Sequence, residues 1–511
     1  MKRRIVVCRI PLTALALTAV LGGAAVGRAT PQQGTRHKQV TQEVAAGGRT
    51  AVLTTSSADI RVVTTTEDVF RIAVDLEYWS NDEDWMTAVD AEFTVAVDES
   101  SRRVAFEPTS LPDLGRQSWF QRLFSTRRVS FELDITLMVP AGSALTVENR
   151  YGDVRVDNIG GAAEVRNTSG TVELYGAVGD VVIDNRYGDV TAQDIRGNLE
   201  LNVTSGGLAV TTVSGDADIT GSYGDVELRA VGGAVVINVT SGSVTAADIG
   251  GRADVAASYG RVEAARVGGP LAIEATSGSV TVREARDGMS LRSSYGSIEI
   301  DGIIGDFSSH GTSTEGSVRN VSGAVRMNNS YGALLLENIG GTVVIDNTSG
   351  NVTISGAGGD TRVSSSYATV RALGIAGTFI AEGTSLAVSG EDVAGAVDVR
   401  TSYEAVELRN IGGAVNVINQ SGAVTVAGLR GDALASRHAI ETSYADIAFD
   451  YPGGAGTPAF ELETTYGRIT CDFEGVREER GSRELLRGNA DGSSAVLSLV
   501  SRSGNIALRH R

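Results

Sequence analysis

Residues 221–251, GSYGDVELRAVGGAVVINVTSGSVTAADIGG, contain two near-copies of one short unit. Tyr223 opens the first copy and Ser241 opens the second, 18 residues later, and a glycine directly follows each of them. A further glycine comes ten positions after the opening residue in both copies, at Gly233 and Gly251. This fixed spacing indicates a tandem repeat of 18 residues.

The same alternation runs through sixteen consecutive units of the chain. Tyrosine recurs every 36 residues, at Tyr151, Tyr187, Tyr223, Tyr259, Tyr295, Tyr331, Tyr367 and Tyr403. Serine takes the same position in the intervening units, at Ser169, Ser205, Ser241, Ser277, Ser313, Ser349, Ser385 and Ser421. A period this strict predicts a solenoid, in which each repeat packs on its neighbours.

Within one unit, apolar and other side chains alternate, as in the run Val235, Ile237 and Val239. Alternation with a period of two, bounded by glycine turns, predicts short strands with one buried face. Residues 150–440 show no helical period. The chain is therefore predicted to be an all-β protein, a single-chain parallel β-solenoid with one coil per 18 residues. Unequal spacing within the unit fits three hexapeptides poorly, which favours a right-handed β-helix.

The N terminus combines a basic segment with an apolar stretch over residues 11–26 and small residues that suit cleavage. This pattern predicts a signal peptide over residues 1–29, with a retained anchor as the alternative. No second apolar run has the length of a membrane span. We therefore expect a mature chain without a transmembrane segment, exported to the periplasm, the outer surface or the medium.

The chain is acidic, with a formal net charge of −18. Residues 1–29 carry five basic and no acidic side chains, so their removal would leave −23. Such a surface repels a phosphate backbone, which argues against nucleic acid as a partner. Cys471 alone would remain after cleavage, so no internal disulfide is expected.

Composition divides the chain into four segments. The signal peptide precedes an N-terminal β-rich cap region over residues 30–148, where runs such as FRIAVDLEYW predict longer, antiparallel strands. The sixteen regular coils cover 149–438, and irregular final coils with a C-terminal cap cover 439–511. Within the last segment, the charged residues 475–492 predict a loop or a short helix.

The cap region also holds the aromatic residues that are the first candidates for ligand contact. Aromatic rings can stack on sugars, but large apolar side chains are equally suited to cover the first coil of a solenoid. Residues 115–128, GRQSWFQRLFSTRR, mix aromatic and basic side chains. This mixture also suits a membrane headgroup layer or a loop packed on the solenoid. The candidate surface residues are Tyr78, Trp79, Trp85, Trp119, Phe120 and Arg122.

Residues 139–161, VPAGSALTVENRYGDVRVDNIGG, followed by repeated TSGxVxL and SYGDVxL units, support a family resemblance. The pattern resembles a bacterial family of domains of unknown function that carries the label "putative adhesin". The resemblance covers roughly residues 40–511. It implies a β-solenoid on the cell envelope or exported beyond it, and it brings no catalytic residue to this chain.

Few residues suggest chemistry. The four histidines are far apart and show no metal-ligand spacing, so we predict no metal site, no cofactor and no catalytic residue. Asp153, Asp189 and Asp225 recur 36 residues apart, which places neighbours about 10 Å apart, within the range of an inverting carboxylate pair. Short turns offer no walls for a catalytic groove. Solvated turn groups are the favoured interpretation, with divalent cation binding as an alternative.

The Tyr/Ser position allows two interpretations. The favoured one packs each tyrosine ring over the small serine of the next coil, and the alternative exposes the tyrosines as a ladder suited to sugar rings. Asparagines that precede this position, such as Asn149, Asn167 and Asn185, are candidates for amide ladders between coils.

These observations lead to a first functional hypothesis. The protein is expected to be a non-enzymatic, adhesin-like β-solenoid that is secreted or bound to the envelope and presents an extended binding or scaffold surface. A cell-wall polymer, a glycan or an envelope protein is the expected partner. A carbohydrate-active β-helix enzyme and a self-assembling envelope structural protein are the alternatives.

Overall fold

The structure of the protein is a computed structural model that describes residues 34–112, 128–488 and 496–511. The predicted signal peptide lies outside the described residues. The chain divides into two compact units, Met1–Gly233 and Ala234–Arg511. Each is described by itself.

The first unit contains seventeen strands and one α-helix among its described residues. Strands in the cap region are β1 (Arg36–Ala45), β2 (Thr50–Thr54), β3 (Asp59–Thr65), β4 (Val69–Ser80), β5 (Val95–Glu99), β6 (Arg103–Pro108) and β7 (Val129–Pro140), with helix α1 (Glu83–Glu92) between β4 and β5. The repeats supply β8 (Leu145–Tyr151), β9 (Val154–Ile159), β10 (Ala163–Ser169), β11 (Val172–Ala177), β12 (Val181–Tyr187), β13 (Val190–Ile195), β14 (Leu199–Ser205), β15 (Leu208–Val213), β16 (Ala217–Tyr223) and β17 (Val226–Val231).

Each coil of this unit contributes one strand to each of two parallel sheets. The first sheet has the order β5-β6-β2-β8-β10-β12-β14-β16, and the second has the order β1-β4-β7-β3-β9-β11-β13-β15-β17. Strands β2 and β3 pair in parallel with β8 and β9, so residues 50–65 already form a coil below the first regular repeat. Among the described strands of this unit, only the pairs β1–β4, β4–β7 and β5–β6 are antiparallel.

Stacked apolar rows form the core of the first unit. Val165, Ile183 and Leu201 are in register on adjacent strands, and none of the three is exposed. An 18-residue period places equivalent residues on top of one another, so each buried row continues from coil to coil. The prediction of a parallel β-solenoid from the alternation pattern is confirmed.

Helix α1 is an element that the sequence analysis missed. Asp82 caps it by accepting a hydrogen bond from the backbone N–H of Trp85, and Trp85, Met86 and Val89 form its buried face. The ten-residue segment reads as a charged loop because its apolar residues cover less than two turns. No helix in the described ranges is long and apolar enough to cross a membrane.

The second unit contains the remaining strands and one 3₁₀ helix, η1 (Gly431–Ala435). Its first strands are β18 (Val235–Ser241), β19 (Val244–Ile249), β20 (Ala253–Tyr259), β21 (Val262–Val267), β22 (Leu271–Ser277), β23 (Val280–Ala285), β24 (Met289–Ile303), β25 (Phe307–Val321), β26 (Val325–Tyr331), β27 (Leu334–Ile339), β28 (Val343–Ser349), β29 (Val352–Ala357), β30 (Thr361–Ile375), β31 (Phe379–Glu382) and β32 (Ser385–Val393). They continue as β33 (Val397–Thr401), β34 (Val406–Arg409), β35 (Val415–Asn419), β36 (Val424–Ala427), β37 (Arg437–Thr442), β38 (Ile447–Tyr451), β39 (Ala459–Thr464), β40 (Ile469–Cys471), β41 (Val476–Arg480), β42 (Arg483–Gly488), β43 (Val496–Ser501) and β44 (Ile506–His510).

The second unit repeats the two-sheet arrangement. Strands β24, β25 and β30 are 15 residues long and run through the corner from one sheet into the other. Taken together, the two units hold about sixteen coils with a spacing of about 18 residues, as predicted. The right-handed winding of the coils stays a prediction.

The C-terminal end departs from consecutive stacking. Strand β43 lies between β37 and β39, and β44 lies between β38 and β40, so the last coil of the chain inserts between two earlier ones. Strands β41 and β42 form an antiparallel hairpin on β39. The prediction of a loop or short helix for residues 475–492 is therefore wrong over these strands, because the charged run forms an edge strand that is exposed at every position.

Candidate functional site

A buried asparagine shapes the corner between the two strands of many coils. The side-chain amide of Asn185 donates to the carbonyl oxygens of Gly170 and Gly188, both at 3.0 Å. Asn149 and Asn167 occupy the equivalent positions in their coils, and all three side chains are at least 95% buried. The amides bind the corner backbone of their own and the preceding coil, so they do not form the amide ladder that the sequence suggested.

The glycine that follows the Tyr/Ser position completes the corner. Gly188 has φ +130, a conformation that only glycine adopts without strain. A Cβ atom on Gly188 would also clash with the carbonyl oxygen of Gly170 in the coil below. Glycine is thus required here for both conformation and close stacking.

The tyrosines lie outside this corner. In the first unit Tyr151, Tyr187 and Tyr223 are 59%, 56% and 61% exposed. In the second unit the exposed tyrosines are Tyr259, Tyr295, Tyr331, Tyr367, Tyr403, Tyr444 and Tyr466, all more than half exposed. We call each series the tyrosine column of its unit. The favoured interpretation, in which the rings fill the interior between coils, is wrong.

Local chain direction explains the exposure. Along β8 the alternation of buried side chains ends at Asn149, and Arg150 and Tyr151 are both exposed as the chain turns. Tyr151 and Tyr187 each pair in register with Ser169, one coil away. Successive tyrosines are therefore two coils apart, about 10 Å.

A polar groove runs beside the tyrosine column in each unit. In the first unit it has a volume of about 710 Å³, and the asparagine row lines it together with Arg150, Thr168 and Arg186 from the position before the Tyr/Ser residue. In the second unit a groove of about 380 Å³ is lined by the equivalent Asn329, Ser330, Asn347, Thr348 and Ser366. Hydroxyl and amide groups therefore line the surface beside the tyrosines from one coil to the next.

The recurring aspartates mainly cap the backbone. One carboxylate oxygen of Asp153 accepts the N–H of Thr171 at 2.7 Å, and Asp189 accepts that of Gly207 at 2.8 Å. This agrees with the interpretation of these aspartates as turn groups. It also adds their role, because each bond links one coil to the next.

A second concavity, of about 510 Å³, brings three aspartates onto adjacent strands of the first unit. Asp134 pairs with Asp59, and Asp59 accepts the backbone N–H of Asp153 at 2.8 Å. Arg61 and Arg155 line the same concavity. Within the described residues no group of three or more His, Cys, Asp or Glu side chains converges as metal ligands would.

The predicted aromatic surface is placed differently by the structure. Tyr78 and Trp85 are 1% and 3% exposed, and their rings meet edge to face with centroids 6.1 Å apart. Trp79 is half-buried, and Trp119, Phe120 and Arg122 lie outside the described residues. Burial of Tyr78 and Trp85 suits a cap and leaves these two rings little surface for a ligand.

Tyr78 illustrates the capping role in detail. Its hydroxyl donates to the carboxylate of Asp90 at the end of α1, and Arg36 binds the same carboxylate group. Burial, followed by the hydrogen bond to Asp90, raises the pKa of Tyr78 to about 12. These contacts fasten the helix to strands β1 and β4.

The fold and the surface together define a class of protein: a repetitive two-sheet β-solenoid that carries an exposed aromatic column and a parallel polar groove. The chain belongs to the Toastrack DUF4097 family, whose model matches residues 49–317, more than half of the sequence. No curated protein matches the sequence.

Three solved bacterial structures show a distant likeness. A "putative cell adhesion protein" from Clostridium sporogenes is 10% identical over 49% of this chain and 100% of its own, with a TM-score of 0.18. "Putative adhesins" from Bacteroides fragilis and Parabacteroides distasonis are 13% and 12% identical over 59% and 61% of this chain and 97% of their own, with TM-scores of 0.19 and 0.16. Scores this low carry no argument about function.

Proposed function

We propose that this protein is a non-enzymatic, exported binding protein whose tyrosine columns hold an extended polysaccharide of the cell wall or envelope. The observation that carries the proposal is the regular exposure of the tyrosines, each more than half accessible and about 10 Å from the next. Aromatic rings gathered in one exposed row are typical of an interaction surface. Their spacing is comparable to two linked pyranose rings.

The tyrosine rings and the polar groove beside them together suit a sugar. A tyrosine ring offers an apolar face for the C–H side of a pyranose, and its hydroxyl remains in water. The Ser, Thr and Asn side chains along the groove can donate to and accept from sugar hydroxyls. Repetition of one weak contact along a polymer raises the overall affinity without any single strong site.

Export is supported by the predicted signal peptide and by the resemblance to envelope-associated domains. The alternative of end-to-end self-assembly is not favoured, because the hairpin strand β41 presents Arg477, Glu478, Glu479 and Arg480 along its exposed edge. Charged side chains on an edge strand oppose pairing with another chain.

Serine is a matched replacement for each tyrosine, since serine occupies the same corner in alternate coils. The test compares the purified protein with a triple variant, Tyr259→Ser, Tyr295→Ser and Tyr331→Ser. Binding to isolated cell-wall material and to a glycan array should fall at least tenfold while circular dichroism is unchanged. Ile304→Ser, which removes another exposed apolar side chain, is the control and should bind normally. Undiminished binding of the triple variant would contradict the proposal.

A carbohydrate-active enzyme is the second candidate, favoured by the presence of Asp134, Asp59 and Asp153 on adjacent strands. Two carboxylates at a suitable separation are the usual requirement for glycoside hydrolysis. Release of reducing ends from polysaccharides bound by the protein, abolished by Asp59→Asn, would support this candidate. Binding without release would favour the non-enzymatic function.

A further inference from the structure

The first two tyrosines of the column in the first unit differ from all the other tyrosines of the repeats in the residue that precedes them. Arg150 precedes Tyr151 and Arg186 precedes Tyr187, within two copies of the sequence NRYGD. In the other fourteen repeats this position holds a serine or threonine, except for Gln420. Two arginines therefore replace hydroxyl groups at neighbouring tyrosines of the first unit.

Neither arginine has a side-chain partner in the part of the chain that the structure describes. Arg150 and Arg186 are exposed, and neither forms a hydrogen bond or an ion pair with another described residue. Several other arginines of the first unit are paired; Arg229, for example, contacts the carboxylate of Glu227 at 2.6 Å. A guanidinium group without a partner remains available for an external anion.

The groove around the two arginines holds one further arginine and two carboxylates. Arg166 lies on the coil between them, and its guanidinium reaches the carboxylates of Glu148 and Asp184 at 3.5 Å each. These two carboxylates are the acidic side chains that line the groove. With Arg150 and Arg186, three guanidinium groups face two carboxylates, so the side chains that line the groove carry one net positive charge.

The pairing of the strands places the two arginines at the same interval along the groove as the two tyrosines. Asn149 and Asn185, the residues before them, each pair with Asn167 of the intervening coil. The two arginine positions are thus about 10 Å apart along the groove. A ligand that places one ring on each tyrosine would bring a negative group to each arginine at the same interval.

We propose that the two Arg-Tyr pairs, Arg150–Tyr151 and Arg186–Tyr187, recognise an acidic polysaccharide with one carboxylate for every two sugar rings. Each guanidinium binds a sugar carboxylate, and the adjacent tyrosine ring stacks on the neighbouring pyranose. This inference rests on the proposed function and names the class of polymer that the first unit prefers. The tyrosines of the second unit, which follow serine or, at Tyr466, threonine, are predicted to hold the polymer without regard to charge.

The acidic character of the chain does not prevent this contact. Its formal net charge is −18, but charges separated by more than about 10 Å are largely screened at 0.1 M salt. The two arginines act over a few ångströms, where their own charge dominates. The preference for an acidic polymer should therefore be maintained at moderate ionic strength and decline at high salt.

The test measures the binding of two probes to the full chain by calorimetry. Hyaluronan oligosaccharide carries one carboxylate per disaccharide, and chitin oligosaccharide of equal length is neutral. The wild-type protein should bind hyaluronan at least tenfold more tightly. The double variant Arg150→Gln, Arg186→Gln should bind both probes equally, at the chitin level, with a smaller salt dependence. Arg229→Gln, which removes an arginine already paired with Glu227, should retain the preference.

The outcomes separate this inference from the proposed function. Equal binding of both probes by the wild-type protein, or an undiminished preference in the double variant, would overturn the acidic class and leave the tyrosine columns as a polysaccharide site. Binding of polyglutamate as tight as that of hyaluronan would overturn it in favour of an acidic peptide. If neither sugar probe binds and Tyr→Ser variants retain cell-wall binding, the proposed function itself falls.

Discussion

The backbone N–H of Asn505 donates to a carboxylate oxygen of Asp446 at 2.7 Å, although 59 residues separate the two along the chain. In the regular coils the same bond joins residues 18 apart, as between Asp153 and Thr171. The side chain of Asn505 in turn accepts the N–H of Arg468, 37 residues earlier. The last coil of the chain therefore makes the same corner contacts as the regular coils, but it makes them with two coils that lie much earlier in the chain.

Insertion of the last coil predicts that one core substitution there affects both neighbours. Leu499 is fully buried and pairs with Ile440 on one side and Leu462 on the other. Leu499→Ala should cost about 2–5 kcal/mol. Hydrogen exchange should show lost protection in both β37 and β39, whereas Ser498→Ala, one residue away and half-buried, should leave both protected. Loss confined to residues 496–511 would contradict the prediction.

A left-handed residue in each coil predicts a stabilising substitution. Thr212 has φ +60, a conformation that costs a β-branched residue about 1–2 kcal/mol. Asparagine tolerates it and occupies the equivalent position at Asn158 and Asn338. Thr212→Asn should therefore raise the free energy of unfolding by about 1 kcal/mol, seen as a higher urea midpoint. Thr211→Asn, in an extended strand, should give no gain; an equal gain there would rule out the conformational cause.

The corner glycine predicts a destabilising substitution. Gly188→Ala places a Cβ against the carbonyl oxygen of Gly170 at a φ that alanine rarely adopts, so about 2–3 kcal/mol should be lost. Gly207→Ala is the matched control, because its Cβ would lie 3.5 Å from the nearest atom, a carboxylate oxygen of Asp189. Thermal unfolding should separate the two variants clearly. Equal melting temperatures would show that the coils can move apart at this corner.

A buried histidine predicts an acid-sensitive step. His438 is fully buried; its Nδ1 accepts the N–H of Val415 at 3.2 Å and its Nε2 donates to the carbonyl of Ala433 at 2.8 Å. Burial lowers the pKa of His438 below its usual 6.5. The unfolded chain therefore binds a proton that the folded chain excludes, and stability falls as the pH drops below 6.5, by at most about 1.4 kcal/mol per pH unit.

The slope between pH 6.5 and 5.5 isolates this contribution, because carboxylates titrate mostly below that range. Urea unfolding of the wild-type protein should show decreasing stability over this interval. His438→Gln, which cannot titrate, should show a flatter dependence whatever its absolute stability. Parallel slopes for the two proteins would refute the assignment.

Contacts that repeat every 18 residues were predictable from the sequence. The alternation of Val235, Ile237 and Val239 identifies the buried face, and the fixed spacing places each such residue on its equivalent in the next coil. Because a solenoid stacks like on like, a pattern along the chain is also a pattern in space. The position of Gly188, and the need for glycine there, follows from the same regularity.

The candidate site was predicted only in part. The Tyr/Ser alternation was evident, but the parity of the strand pointed Tyr151 inwards, and the turn after Asn149 reverses this. Charged residues directly before the tyrosine, Arg150 and Arg186, are the sequence signal that could have revealed the outward turn. The sequence left Tyr78 and Trp85 open between ligand contact and capping; both are buried, because α1 folds back over β4.

The coil length, the stacked apolar rows and the residues of the core follow from the sequence alone, since these depend on neighbours at a constant separation. Three features became known from the tertiary structure alone: the side of the corner that the tyrosines occupy, the lack of partners for Arg150 and Arg186 among the described residues, and the contact of Asn505 with Asp446. Each of these depends on the path of the chain at a corner or an end, where contacts join residues at no regular separation.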